Sequence, residues 1–275
     1  MNSIVDTLKM FVTDFDGTLA DDNSEVSLHA RYQLKRIGEK GILRVIATGR
    51  NLFSFRNAIN DAFPIDYLIF SSGIGIYNWQ SKTLLQKYLL NQISTKEIYS
   101  YLIKNDYDFM VQFPVPDNHF FHCYSKKEPS GDYMRRIQHY ESRGIFSVKE
   151  CPEKASQFVV FCNEVEQYQK LKSIFKNLKV IRATSPIDKK TMWVEILPSG
   201  VSKASGIEYL KLMHTINHNH IVAVGNDYYD LDMLKYVSLE NAYVVANSPI
   251  ELQKEFNLIE SNQEDGVANL IEKLY

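Results

Sequence analysis

The sequence predicts an α/β protein: a parallel sheet covered by helices on both faces, with a smaller α+β domain inserted into it. Three observations carry this. Short, nearly all-apolar segments at 10–15, 43–48 and 66–71, and again at 221–224 and 243–246, alternate with helical stretches. Such strands are buried on both faces, as parallel sheets are. From about Leu84 to Leu197 the candidate strands become more aromatic and their spacing changes. The length, 275 residues with 45% hydrophobic and 23% charged, suits one large domain or two smaller ones. We therefore expect a core made of 1–83 and 198–275 and an insert over 84–197.

Taken in order, Met10 to Val12 opens the first strand. Ser27 to Lys40 follows as an amphipathic helix with Leu28, Tyr32, Leu34 and Ile37 on one side and Gly41 as its stop. Leu52 to Ala62 is a second helix, closed by Pro64. In the insert, strands are expected at Phe120–Tyr124, Phe158–Cys162, Val180–Thr184 and Trp193–Leu197, with helices near 95–104, 130–142 and 164–176. The last two strands, with Pro186 and Asp188 between them, read as an antiparallel hairpin. After the insert come helix 204–213, strand 221–224, helix 231–236 and strand 243–246.

Bulk properties exclude several classes. A formal net charge of -2 gives no basic excess for nucleic acid. No apolar run is long enough to span a membrane. Met1 to Lys9 lacks the pattern of a signal peptide. Three scattered cysteines, Cys123, Cys151 and Cys162, fit reduced thiols and a cytoplasmic location. No obligate protein partner is apparent.

Chemistry concentrates at four places. The first strand ends in Asp14-Phe15-Asp16-Gly17-Thr18-Leu19. Carboxylates at i and i+2 leave a strand on one side, and the C-terminal ends of strands are where open α/β sheets hold ligands. Two such charges need a cation or a retained proton. The second strand ends in Ala47-Thr48-Gly49-Arg50, which offers a hydroxyl, backbone N–H groups and a guanidinium to an anion. Ser202-Lys203 opens a helix, with the lysine placed to screen phosphate or carboxylate charge. Gly225-Asn226-Asp227-Tyr228-Tyr229-Asp230 supplies oxygen ligands of the kind a hard divalent cation takes.

These four motifs, in this order and with an insertion between the second and third, resemble the haloacid dehalogenase (HAD) superfamily of phosphatases, in its Cof-type branch, subclass IIB. Ile196-Leu197-Pro198-Ser199-Gly200-Val201-Ser202-Lys203 and Glu264-Asp265-Gly266-Val267-Ala268 are similar to the same family. The resemblance covers the core and is weakest in the insert. It implies a HAD-like Rossmannoid parallel-sheet core with a C2-type cap, and Mg2+-dependent hydrolysis of a small phosphorylated metabolite, foremost a sugar phosphate, through an aspartyl-phosphate. In that scheme Asp14 is the nucleophile and Asp16 the general acid and then base, with partial burial expected to favour its protonated form. Thr48, Gly49, Arg50 and Lys203 hold phosphate. Asp14, the Phe15 backbone carbonyl, Asn226, Asp227 and Asp230 are the metal candidates.

The chain departs from the pattern in two places. Asn226 stands where relatives usually have Asp, and Tyr229 where an Asn often precedes the last Asp. Between Asn226 and Asp227, we favour Asp227 for the metal. Ser71-Ser72-Gly73 stands where many relatives have Ser/Thr-Asn-Gly. A phosphomutase, a flavin or other cofactor phosphatase, and a metabolite-binding protein with impaired catalysis are the alternatives. A receiver-like signalling module fits less well, because Asp16 and the large insert have no place in one. Phe121, Tyr124 and Trp193 are expected to form the insert's own core rather than a substrate pocket. His214, His218 and His220 read as an exposed loop rather than a metal site, and Gly73-x-Gly75 as a tight turn. Lys126-Lys127 and Lys189-Lys190 read as solvated surface. Asn247 is divided evenly between a structural turn and a contact near the site.

Overall fold

The computed structural model describes residues 8–125, 129, 131–140, 145–147, 151–184 and 191–274. Lys126, Lys127, Pro186, Asp188, Lys189 and Lys190 lie outside the described residues. The chain forms two compact units, one of Met1–Gln86 with Ser202–Tyr275, the other of Lys87–Val201. These junctions fall slightly later than 83/84 and 197/198.

The first unit begins with β1 (Met10–Thr13), α1 (Leu28–Glu39), β2 (Leu43–Ala47), α2 (Leu52–Ala58), β3 (Tyr67–Phe70), β4 (Gly75–Asn78) and β5 (Thr83–Lys87). The inserted unit contains α3 (Gln92–Lys104), β6 (Asp108–Gln112), β7 (Phe121–Tyr124), α4 (Gly131–Tyr140), β8 (Ile145–Ser147), β9 (Phe158–Cys162), α5 (Val165–Ile174), β10 (Lys179–Thr184) and β11 (Met192–Leu197). The first unit resumes with α6 (Lys203–Met213), β12 (Ile221–Gly225), α7 (Leu231–Tyr236), β13 (Ala242–Val245), α8 (Ile250–Glu255), β14 (Asn257–Ile259) and α9 (Gly266–Leu274).

In the first unit the sheet order is β14-β13-β12-β1-β2-β3-β4-β5. The strands from β14 to β3 run parallel, and β4 turns back antiparallel on β3. Every residue of β1 is buried. Met10, Val12, Val45, Ala47 and Ile69 point to one face, packed with Ile207 and Leu210 of α6, Met233 and Leu234 of α7 and Leu252 of α8. On α1, Ala30, Gln33, Leu34 and Ile37 are buried, and this helix packs on α9 and β2. Leu28 and Tyr32 were expected on that face but are exposed, 86% and 61%. Leu28 is the first helical residue, and the buried stripe of α1 starts at Ala30, so apolar character at 28 and 32 did not mark the covered side. Ser27 caps α1 by accepting from the Ala30 amide at 2.9 Å.

The inserted unit's sheet has the order β10-β11-β9-β6-β7-β8. The expected hairpin is present: β10 and β11 pair antiparallel, with Val180 opposite Ile196. Alternation of side chains sends Phe109, Val111, Phe158, Val160 and Val194 to one face, against Ile98 and Leu102 of α3 and Leu171 of α5. Met110, Phe121, Val159, Phe161 and Trp193 go to the other, against Tyr133 and Tyr140 of α4. Phe121 and Trp193 are thus core residues, and Tyr124 stacks on Phe109 with ring centroids 5.2 Å apart. Among the described residues no helix is long and apolar enough to cross a membrane.

Candidate active site

Parallel register brings the first unit's chemistry to one edge. Thr13 at the end of β1 stands opposite Ile46 of β2 and Val224 of β12, and Ala47 opposite Ile69 of β3. The segments starting at Asp14, Thr48, Ser71 and Asn226 therefore leave the sheet side by side. Sequence-distant motifs meet because parallel strands share a direction.

At the centre lies a buried ion network. The Lys203 ammonium donates to Asp14 Oδ1 and to Asp230 Oδ1, each at 2.6 Å. Asp14, Asp230 and Lys203 are 6%, 1% and 2% exposed. Lys203 is the first residue of α6, whose N-cap Ser202 accepts from the Ser205 amide at 3.0 Å while the Ser205 hydroxyl accepts from the Ser202 amide at 2.9 Å. A cation at the positive end of a helix is unfavourable for the helix alone. Its place there is explained by the two carboxylates. Burial would depress the Lys203 pKa, but the charges of Asp14 and Asp230 outweigh it and hold it above the ordinary lysine value. Burial first, and then the charge of Asp230, push Asp14 up to about 7 against the pull of Lys203. Two carboxylates facing one ammonium leave a surplus of negative charge in a dry place.

Asp230 carries more than the ion pair. Its Oδ2 accepts from the amides of Asn226 and Asp227, at 2.9 and 3.2 Å, so both its oxygens are engaged. It anchors Lys203 and the turn after β12. The Phe15 carbonyl is engaged as well. It accepts from the amides of Thr18, Leu19 and Ala20 at 3.4, 3.1 and 2.9 Å, because the chain coils back over it at Gly17, whose φ is 72°. An oxygen serving three N–H groups is turned into that loop. Asp227 and Asn226 face different surroundings. Asp227 Oδ1 accepts from the Tyr228 amide at 2.6 Å, capping the turn that follows. Asn226 lies against the Asp14–Leu19 loop instead: a methyl on Gly17 would come 2.5 Å from its Nδ2.

Arg50 grips Asp16 in a two-pronged pair, Nε to Oδ2 at 2.8 Å and Nη2 to Oδ1 at 2.6 Å. Nη2 reaches the Ser24 hydroxyl at 2.7 Å, and the guanidinium lies 5.0 Å from the Phe15 ring centroid. The Asp16 side chain is 47% exposed. Thr48 is buried, and its hydroxyl accepts from the Arg50 amide at 3.1 Å. Gly49 packs against the ring of Tyr229.

Sequence reasoning missed one support and left another open. The Thr18 hydroxyl donates to Asp14 Oδ2 at 3.2 Å; its place in the first motif was the only signal. Asn247 donates to the Gly17 carbonyl at 2.8 Å and accepts from the Asn262 amide at 3.1 Å, so it holds the Asp14–Leu19 loop from behind. The three histidines do not converge. His214 meets the Tyr67 hydroxyl at 2.8 Å and His218 lies edge-on to Tyr236. Among the described residues no group of three or more His, Cys, Asp or Glu is placed to hold a metal.

A family model described as haloacid dehalogenase-like hydrolase matches residues 11–271. The 5-amino-6-(5-phospho-D-ribitylamino)uracil phosphatase YwtE of Bacillus subtilis (strain 168) is 25% identical, over 97% of this chain and 98% of that protein. The 5-amino-6-(5-phospho-D-ribitylamino)uracil phosphatase YcsE of the same organism is 21% identical, over 96% of this chain and 94% of its own. Among solved structures, BT1666 of Bacteroides thetaiotaomicron, described among phosphatases of the haloalkanoate (HAD) enzyme superfamily, has a TM-score of 0.79 at 19% identity, covering 98% of this chain and 95% of that one. At that identity the likeness shows the fold alone.

Proposed function

Because this chain belongs to the haloacid dehalogenase-like hydrolase family, we propose that it is a phosphatase that hydrolyses a small phosphorylated metabolite, foremost a sugar phosphate, through an aspartyl-phosphate on Asp14. One observation carries the reading: a buried Asp14 shares the Lys203 ammonium with Asp230 at the C-terminal edge of the sheet. Asp14 Oδ1 or Oδ2 attacks phosphorus, the P–O bond to the leaving group breaks, and a proton reaches the leaving oxygen from Asp16. Asp16 then takes a proton from the water that cleaves the aspartyl-phosphate, releasing phosphate and restoring Asp14. Lys203 and the Thr48 hydroxyl hold phosphoryl oxygens.

Mg2+ fits the charge of this site, since a cation would relieve the surplus between Asp14 and Asp230. Asp14 and the Asn226 amide oxygen would hold it, with Asp227 adjoining, and Mg2+ commonly keeps several waters and few protein ligands. When bound it offsets the repulsion between an anionic nucleophile and an anionic phosphate. The inserted unit is assigned the reading of the leaving group and the exclusion of water, and the cytoplasm is its assigned location.

A second substrate reading is favoured by the two Bacillus relatives named for 5-amino-6-(5-phospho-D-ribitylamino)uracil. Phosphate release from sugar phosphates, this compound, nucleotides and flavin mononucleotide, with Mg2+ and with EDTA, tests both. Mg2+-dependent release is expected, strongest with either a sugar phosphate or the ribityl phosphate. Isomerised substrate without release would replace the reading with a phosphomutase, and tight binding without turnover with a binding protein.

The grip of Arg50 on Asp16 gives a separate expectation. Arg50→Ala leaves Asp16 unanchored, so turnover of an alkyl phosphate, whose leaving oxygen needs a proton, should fall by about 10- to 100-fold. Turnover of para-nitrophenyl phosphate, which leaves without help, should change far less. Stability should move by less than about 1 kcal/mol, because the pair is half-exposed. Equal losses on the two esters would mean that Arg50 serves phosphate and not Asp16.

A further inference from the structure

Two departures from the family pattern, far apart in the chain, meet in space. Tyr229 stands where an Asn often precedes the last Asp, and Ser72 where many relatives have Asn. In the fold the Tyr229 and Ser72 hydroxyls are hydrogen-bonded to each other. The backbone makes Ser72 informative. It lies in the left-handed region, φ 59° and ψ 27°, between Ser71 at φ 48° and Gly73 at φ 99°. Asn is one of the side chains that tolerate this region best, and Ser has no such advantage. Backbone preference therefore does not explain Ser72. Space and a hydroxyl partner do: a short side chain at 72 admits the longer phenol from 229.

The ring of Tyr229 then touches two parts of the proposed phosphate cradle. A methyl on Gly49 would lie 3.2 Å from its Cε1, tighter than ordinary contact, so glycine at 49 is what lets the ring come down on the Thr48–Gly49 turn. The Lys203 ammonium lies 5.5 Å from the ring centroid, within cation–π range. The turn bearing Ser72 braces the same segment, its amide donating to the Thr48 carbonyl at 3.1 Å. Ser72, Tyr229, Gly49 and Lys203 form one contiguous set within the first unit.

We propose that Tyr229 is a positioning residue of the phosphate site, its hydroxyl anchored by Ser72 and its ring holding the Thr48–Gly49 turn and the Lys203 ammonium in place. The inference rests on reading this site as one that binds a phosphoryl group. Without the anchor the phenyl ring can turn about its side-chain torsions, and the cradle loosens on the Thr48–Gly49 side while Lys203 loses only the contact with the ring. The loss falls on phosphate binding before it falls on chemistry, because Asp14 and Asp230 still hold Lys203.

The test compares wild type, Tyr229→Phe, Ser72→Ala and the double variant. The readouts are Kd for inorganic phosphate by calorimetry with Mg2+, and KM and kcat for para-nitrophenyl phosphate. Tyr229→Phe and Ser72→Ala should each raise Kd and KM by about three- to tenfold, the range of one neutral hydrogen bond, with a smaller change in kcat. The double variant should be no worse than either single one, since both break the same contact. Tyr229→Phe removes one oxygen and keeps the packing, so it reports even where Ser72→Ala does not fold. Variants that bind phosphate within about twofold of wild type, with only their melting temperatures lowered, would make the pair purely structural and overturn the inference. Losses that multiply in the double variant would overturn the coupling. Wild-type protein that neither binds inorganic phosphate nor releases it from any ester would sink the phosphate reading itself, a result distinct from an active wild type with unchanged variants.

Discussion

Asp14→Asn is expected to cut phosphate release by a factor on the order of 10^4 or more, the scale of losing a nucleophile that acts as part of a unit, and to leave the fold at least as stable as before. The amide cannot form the acyl phosphate, yet it is the same size as the carboxylate and can still accept from Lys203. It also removes one of two carboxylates that face a single ammonium in a buried place. Taking an unbalanced charge out of such a site relieves repulsion, so the melting temperature of the metal-free variant should match or exceed that of wild type. Phosphate release with the preferred ester and a thermal melt check the two halves. An active Asp14→Asn protein would reject Asp14 as nucleophile. An inactive one that melts far lower would show that the loss came from unfolding instead of chemistry.

Lys203→Met should damage both properties. Methionine fills the space of the lysine stem, but Asp14 and Asp230 are then buried without their cation. Removing one partner from a buried ion network costs about 3–5 kcal/mol, and removing one fixed donor to a developing phosphoryl charge costs about 10^2- to 10^3-fold in turnover. A triple variant, Lys203→Met with Asp14→Asn and Asp230→Asn, separates the two. It should regain most of the stability, because no uncompensated charge is left, and none of the activity. Chemical denaturation of the wild type, single and triple proteins reads the first effect. If Lys203→Met alone melts like wild type, the network does not balance charge in the way its geometry implies.

How much of this was legible before the fold is best seen in particular residues. The segments Asp14–Leu19, Ala47–Arg50, Ser202–Lys203 and Gly225–Asp230 announce themselves as contiguous groups at the ends of apolar strands. The weaker elements did not. β4 ends in Asn78, β14 begins with Asn257, and β5 has no fully buried residue, so none of the three carries the continuous apolar pattern by which β1 was recognised. The turn expected at Gly73-x-Gly75 is there, but it leads directly into β4. Arg50 was read as a phosphate ligand from its neighbours in the motif. Its partner Asp16 lies across the edge between β1 and β2, and only the fold sets that distance.

By itself, the sequence determined the class of fold, the inserted architecture and the set of residues available for chemistry. These follow from local periodicity and residue type, which are properties of the chain in any conformation. The tertiary structure decided what each polar group faces. It turned the Phe15 carbonyl into its own loop, set Asn226 and not Asp227 against Gly17, committed Asp230 to Lys203, clamped Asp16 with Arg50 and joined Ser72 to Tyr229. A hydrogen bond or ion pair depends on distances of a few ångströms between atoms far apart in the chain, and those distances exist only once parallel strands have brought four loops to one edge.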